Sequence, residues 1–121
     1  MVGMQPYRVN EFLKLSLEAL NLDYVDAYLM EFPFGFQYIN ECLMVPTGDD
    51  GKVILDTKTH LESLWNALEQ EVRKGRAHSI GLANCNLEQL VRITNSAEIQ
   101  PAIVHVSDFR FNAERKVMFV C

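Results

Sequence analysis

Residues Leu61 to Ala83 read LESLWNALEQEVRKGRAHSIGLA, a helix, its stop and a strand in one run. Leu61, Leu64, Trp65, Leu68 and Val72 fall at offsets of 0, 3, 4, 7 and 11, which places them on one face of an α-helix. Asp56 or Thr59 is expected to cap its start. Arg73 and Lys74 suit the negative end of the helix dipole, and Gly75 supplies a left-handed stop. His78 to Ala83 then forms a short apolar run, read as a buried strand.

The same alternation extends on both sides. Upstream, Val9, Phe12, Leu13, Leu17 and Leu20 lie at offsets of 0, 3, 4, 8 and 11, a second helical stripe that Asn21 can end. Tyr24 to Met30 is rich in strand formers and is followed by Pro33, so it reads as a strand. Phe34 to Asp56 has no sustained period and is read as a long loop, with room for a hairpin about Asp50-Gly51. Downstream, Asn86 and Gln89 have capping-box spacing for a helix running to about Thr94. Pro101 opens a third strand, Ala102 to Val106, and Asn112 is placed to cap a final helix.

Strands that alternate with helices predict an α/β fold with a parallel sheet and right-handed crossovers. All 121 residues are read as one partial domain with strands near 24–30, 78–83 and 102–106. Three strands are too few to close a barrel.

Composition narrows the function. Hydrophobic residues make up 49% of the chain and charged residues 22%, the balance of a folded globular protein. The net charge of −5 opposes binding to phosphate backbones, so nucleic-acid partners are not expected. No apolar run approaches the ~20 residues that span a bilayer, so no membrane partner is expected either. Cys42, Cys85 and Cys121 form neither a CxxC pair nor a Cys/His metal pattern, and are read as free thiols of a cytoplasmic protein. No metal site is expected. His60 and His78 are read as ordinary helix-face and strand residues without a nearby ligand partner. No glycine-rich phosphate loop is present.

Three stretches resemble the aldo-keto reductase family. Leu15 to Pro33, LSLEALNLDYVDAYLMEFP, is similar to its "SL..L.LDYVDLYLIHWP"; Trp65 to Asn84, WNALEQEVRKGRAHSIGLAN, to "W.A.E.LV..GKVKSIGVSN"; and Pro101 to Phe111, PAIVHVSDFRF, to "PAVNQVECHPY". The resemblance covers about Val9 to Cys121. It implies the fourth to sixth strands of a (β/α)8 barrel, a fold of about 250 residues when complete. It implies NADP(H) as cofactor, held weakly or not at all, and a small carbonyl or steroid-like substrate. The family's catalytic Asp, Tyr and Lys and its 2′-phosphate-binding Lys and Arg have no counterparts in this chain.

The resemblance also assigns site residues. Glu31 stands at the usual catalytic His position, at a strand's C-terminal end where barrels build active sites. If buried, its carboxyl would be pushed toward the protonated form and could donate a hydrogen bond, as in the steroid 5β-reductase branch. The other reading makes Glu31 one change among many in a decaying copy. Phe32 stands at the Trp of the substrate wall, which Phe34 and Phe36 could extend. Ala83, Asn84 and His105 stand at the family's Ser, Asn and Gln, which hold the nicotinamide carboxamide. Asn84 keeps an amide that both donates and accepts, Ala83 has lost a hydroxyl, and His105 offers a single bond. Asn84 is also a natural turn residue at a helix entry. Ser107, Asp108, Phe109 and Arg110 replace a Glu-Cys-His-Pro segment.

Two functions follow. One is part of an NADP(H)-dependent carbonyl reductase, inactive as an isolated piece. The other is a non-catalytic pseudoenzyme that acts as a binding or interaction module and self-associates through its exposed strand edges.

Overall fold

The computed structural model describes residues 5–31, 35–36, 47–52, 55–56, 60–106 and 116–119. A short 3-10 turn, Pro6–Arg8, leads into α1, Val9–Leu20. Then follow β1 (Val25–Glu31), β2 (Gly35–Phe36), β3 (Leu55–Asp56), α2 (Leu61–Arg73), β4 (Ala77–Ala83), α3 (Leu87–Ser96), β5 (Ile103–Val106) and β6 (Lys116–Phe119). The main sheet has the order β1-β4-β5-β6, and β2 and β3 form a separate two-stranded pair. β1, β4 and β5 are mutually parallel, as the alternation of elements requires.

Local signals set the helix ends. Asn21, at φ 54°, closes α1, with its N–H donating to the Glu18 carbonyl and that of Leu22 to Leu17. Gly75, at φ 74°, closes α2 in the same way: Gly75 N–H donates to Val72 and Arg76 N–H to Glu71, the two bonds of a Schellman motif. At α3 the capping box is complete. Gln89 N–H donates to Asn86 Oδ1 at 2.8 Å, and Asn86 N–H donates to Gln89 Oε1 at 2.9 Å. Within the long loop, Gly48 to Lys52 makes a tight turn with Gly51 at φ 73°.

Two local expectations are corrected. The residue that precedes α2 is His60, not Asp56 or Thr59, and its side chain makes no capping bond. Asp56 pairs with Gly35 in the small sheet, and Thr59 lies outside the described residues. The expected last helix is not formed at 116–119, which instead runs antiparallel to β5, with Ile103 opposite Phe119 and His105 opposite Val117. A strand on the open edge of β5 satisfies backbone groups on both partners. Asn112 lies outside the described residues.

The core lies between the sheet and a layer of helices. Met30, Ile80, Leu82 and Trp65 are buried together with Leu64, Leu68 and Ile93. Met30 pairs with Leu82 and Tyr28 with Ile80 across the β1–β4 ladder, so these side chains share the helix-covered face. Burial pushes the Tyr28 phenol above its ordinary value, and the nearby Glu71 carboxylate pushes it the same way. Among the described residues, no helix is long and apolar enough to cross a membrane.

Candidate functional site

Strand geometry brings the predicted residues together. Glu31 pairs with Ala83, and Ala83 pairs with His105, so the three stand in one row across β1, β4 and β5. Paired residues of a ladder point to the same side, and this row is on the face turned away from the helices. The row lies at the C-terminal ends of the parallel strands, where α/β folds place their sites. Asn84 follows immediately, at φ 56°, and its N–H donates to the His105 carbonyl at 2.8 Å. That left-handed residue turns the chain out of β4 toward the α3 cap, so its turn role and its place beside the row coexist.

Below the row runs a second one, Leu29, Gly81 and Ile103. Gly81 is required there. A Cβ at this position would lie 2.6 Å from Leu29 Cδ2 and even closer to the Ile103 carbonyl oxygen. Leu29 and Ile103 therefore close over the middle strand and make an apolar floor. Beyond that floor, Ala83 has only a methyl group between the longer Glu31 and His105, which flank a short channel. Gly81→Ala is expected to destabilise the chain by about 1–3 kcal/mol, because the obstructing atom is backbone and cannot swing aside. Chemical denaturation of the pure variant measures it.

The chemistry available follows from spacing. Strands sit about 4.8 Å apart, so Glu31 and His105 are roughly 10 Å apart across the channel. That is too far for a direct ion pair. Glu31 is exposed. Ala83 is buried, and Asn84 and His105 are half-buried. Phe32, Phe34 and Ser107 to Arg110 lie outside the described residues, as does the side chain of Phe36.

Other candidates resolve differently. A cavity of about 430 Å³ lies between α2 and α3, lined by Glu62, Asn66, Glu69, Ser96 and Glu98 among others. It is on the helix side, away from the strand ends. Its carboxylates are engaged: Glu62 with Arg92 at 2.7 Å, Glu69 with the N–H groups of Glu98 and Ile99 at 2.8 and 2.9 Å, and Glu98 with Arg73. Its own helix-start N–H and Arg92 hold the Glu62 carboxyl below the usual range. This is a polar seam between helices whose carboxylates are already engaged. Sequence reasoning missed one pairing: His78 stacks on Tyr24 with ring centroids 4.2 Å apart, and its Nδ1 lies 3.9 Å from Asp26 Oδ1. The only signal was the parallel register itself, which sets Asp26 beside His78. His60 is a helix-capping position rather than a helix-face residue. Among the described residues no group of three or more His, Cys, Asp or Glu could hold a metal. Cys85 is a free thiol that burial pushes up, while Cys42 and Cys121 are outside the described residues.

Comparison with known proteins agrees with this fold. The family model described as Aldo/keto reductase family matches residues 1–121. Aldo-keto reductase family 1 member A1 of Cricetulus griseus is 34% identical over 116 residues, covering 96% of this chain and 35% of that protein. The human protein of the same name is 33% identical over the same shares. Among solved structures, the aldose reductase of Giardia lamblia superposes with a TM-score of 0.84 at 28% identity, over 88% of this chain and 34% of that one. The aldose reductase of Schistosoma japonicum gives 0.82 at 30% identity, over 88% and 35%. The chain thus spans about a third of the length of the relatives it matches.

Proposed function

The chain belongs to the aldo/keto reductase family, and we propose that it supplies the barrel wall that receives the nicotinamide end of NADP(H) in carbonyl reduction, and that it does not reduce carbonyls by itself. The observation that carries this reading is the row of Glu31, Ala83 and His105 at three parallel strand ends, with Asn84 directly after it. NADPH, when bound, supplies the hydride.

The residues present suit only part of that cofactor. The Asn84 side-chain amide and the His105 ring can hold a carboxamide, and Ala83 leaves room for it but offers no bond. Glu31, across the channel, can accept a hydrogen bond from a substrate hydroxyl. The described residues offer no glycine-rich loop for the phosphates. Reduction of a carbonyl also requires a proton donor held near the reacting oxygen, and isolated members of such a unit retain little of the rate. Exposed Glu31 alone does not meet that requirement.

The test is direct. Purified chain mixed with NADPH and a small aldehyde is expected to consume no NADPH beyond the protein-free rate. Sustained consumption that Glu31→Ala abolishes would overturn the second half of the proposal.

A non-catalytic interaction module is a second reading. It is favoured by the concentration of exposed apolar side chains on the β1 side of the molecule.

A further inference from the structure

Asp50-Gly51 is the one Asp-Gly step in the sequence, and Asn-Gly does not occur. It lies in the tight turn of Gly48 to Lys52, within the loop between β1 and α2. The Lys52 backbone N–H donates to Asp50 Oδ1 at 3.1 Å. A bond from a carboxylate to the N–H two residues on is an Asx turn, and it folds the side chain back over its own peptide link to the next residue. The Lys52 ammonium stands 3.9 Å from the other oxygen, Oδ2. Both contacts draw electron density away from Asp50 Cγ. The Asp50 side chain is 61% exposed, so water reaches it. At Gly51 nothing lies within 4 Å of where a Cβ would be, and no side chain of its own screens its nitrogen from that carboxyl.

We propose that Asp50 is a site of covalent self-modification, closing on Gly51 to a succinimide and reopening in part as isoaspartate. In the first step the Gly51 nitrogen bonds to Cγ of the protonated Asp50 carboxyl. The carboxyl hydroxyl leaves with the proton that the nitrogen gives up, so one water departs. In the second step one water adds back. Cleavage between Cγ and the nitrogen restores aspartate. Cleavage between the Asp50 main-chain carbonyl carbon and the nitrogen routes the chain through Cγ and frees an α-carboxylate. Nothing is oxidised or reduced. One contact opposes the first step: the Gly51 N–H donates to the Gly48 carbonyl at 2.9 Å and must release it before attack. That bond closes a turn whose Asp50 and Gly51 are exposed, and such turns open locally at small cost beside global unfolding. The product has one more main-chain carbon between Gly48 and Lys52, so the 2.9 Å bond from the Gly48 N–H to the Lys52 carbonyl no longer fits.

Prolonged incubation of the full chain at neutral pH tests this, with samples split between mass spectrometry and labelling by an isoaspartate-specific methyltransferase. A species one water lighter is expected first, followed by isoaspartate at residue 50. It should accumulate there ahead of Asp23, Asp26, Asp49, Asp56 and Asp108, each of which precedes a residue with a side chain. Asp50→Glu would need a larger ring and is expected to lose the signal while its circular dichroism spectrum is unchanged. Gly51→Ala puts a methyl group beside the attacking nitrogen and is expected to slow the reaction several-fold. A parallel sample unfolded in urea shows what the turn itself does. The proposal is overturned if the folded chain stays intact at Asp50 while the unfolded chain isomerises there, since the turn then shields the site. It is also overturned if isoaspartate appears first at another aspartate, or if Asp50→Glu or Gly51→Ala leaves the labelling unchanged.

Discussion

Trp65→Ala is expected to lower the unfolding free energy by about 4 kcal/mol, a large part of the roughly 5–15 kcal/mol that holds a small domain together. Trp65 is 1% exposed and sits in the same buried cluster as Met30, Ile80, Leu82 and Ile93, so its removal opens a cavity where the helix layer meets the sheet. A second cost adds to the first. The indole Nε1–H donates to the Ile99 carbonyl at 3.0 Å, and alanine leaves that carbonyl without its donor. Ile99 leads through Pro101 into β5, the strand that carries His105, so the loss reaches the candidate site. Trp65→Phe keeps most of the volume and loses the bond, and is expected to cost about 1–2 kcal/mol. Trp65 is the single tryptophan, so urea unfolding of both variants should be followed by circular dichroism rather than by fluorescence.

Glu71→Ala is expected to cost about 3 kcal/mol, the low end of what breaking a buried ion pair costs. Glu71 is 1% exposed and accepts from Arg76 Nε at 2.7 Å and from Lys74 Nζ at 3.2 Å. Arg76 Nη2 in turn donates to Asn10 Oδ1 of α1 at 2.9 Å. One carboxylate thus ties α1 to the junction between α2 and β4. Arg76 and Lys74 remain partly in water, which places the loss below that of a wholly buried pair. Glu71→Gln retains the size and one acceptor and should lose less than Glu71→Ala. Urea midpoints at neutral pH measure both, and equal losses would show that packing, rather than the charge, accounts for the effect.

The same two residues mark what sequence can and cannot reveal. Trp65 was legible because its place in the stripe of α2 depends only on helical period, and the Gly75 stop and the Asn86–Gln89 box were legible because they act within a single turn. The parallel order of β1, β4 and β5 followed from the alternation of elements. The register sets Glu31, Ala83 and His105, three residues that family resemblance singles out, in one row. Burial of Glu69 and Glu71 had no such signal. Their partners include backbone N–H groups about 30 positions later and, through Arg76, a side chain on α1. On a helical wheel they flank the apolar stripe of α2 on opposite sides, as ordinary boundary acids do. The strand at 116–119 was missed for a related reason. It depends on what the neighbouring strand leaves open, and that is a property of the assembled sheet.

A titration of isotope-labelled chain with NADPH, followed residue by residue by NMR, tests the placement of the site most directly. The expected result is a set of shifts confined to Glu31, Ala83, Asn84, His105 and the floor residues Gly81 and Ile103, still growing without saturation in the millimolar range. Saturation in the micromolar range would contradict the account, as would shifts centred on Glu62, Asn66 and Ser96 while the row stays unmoved.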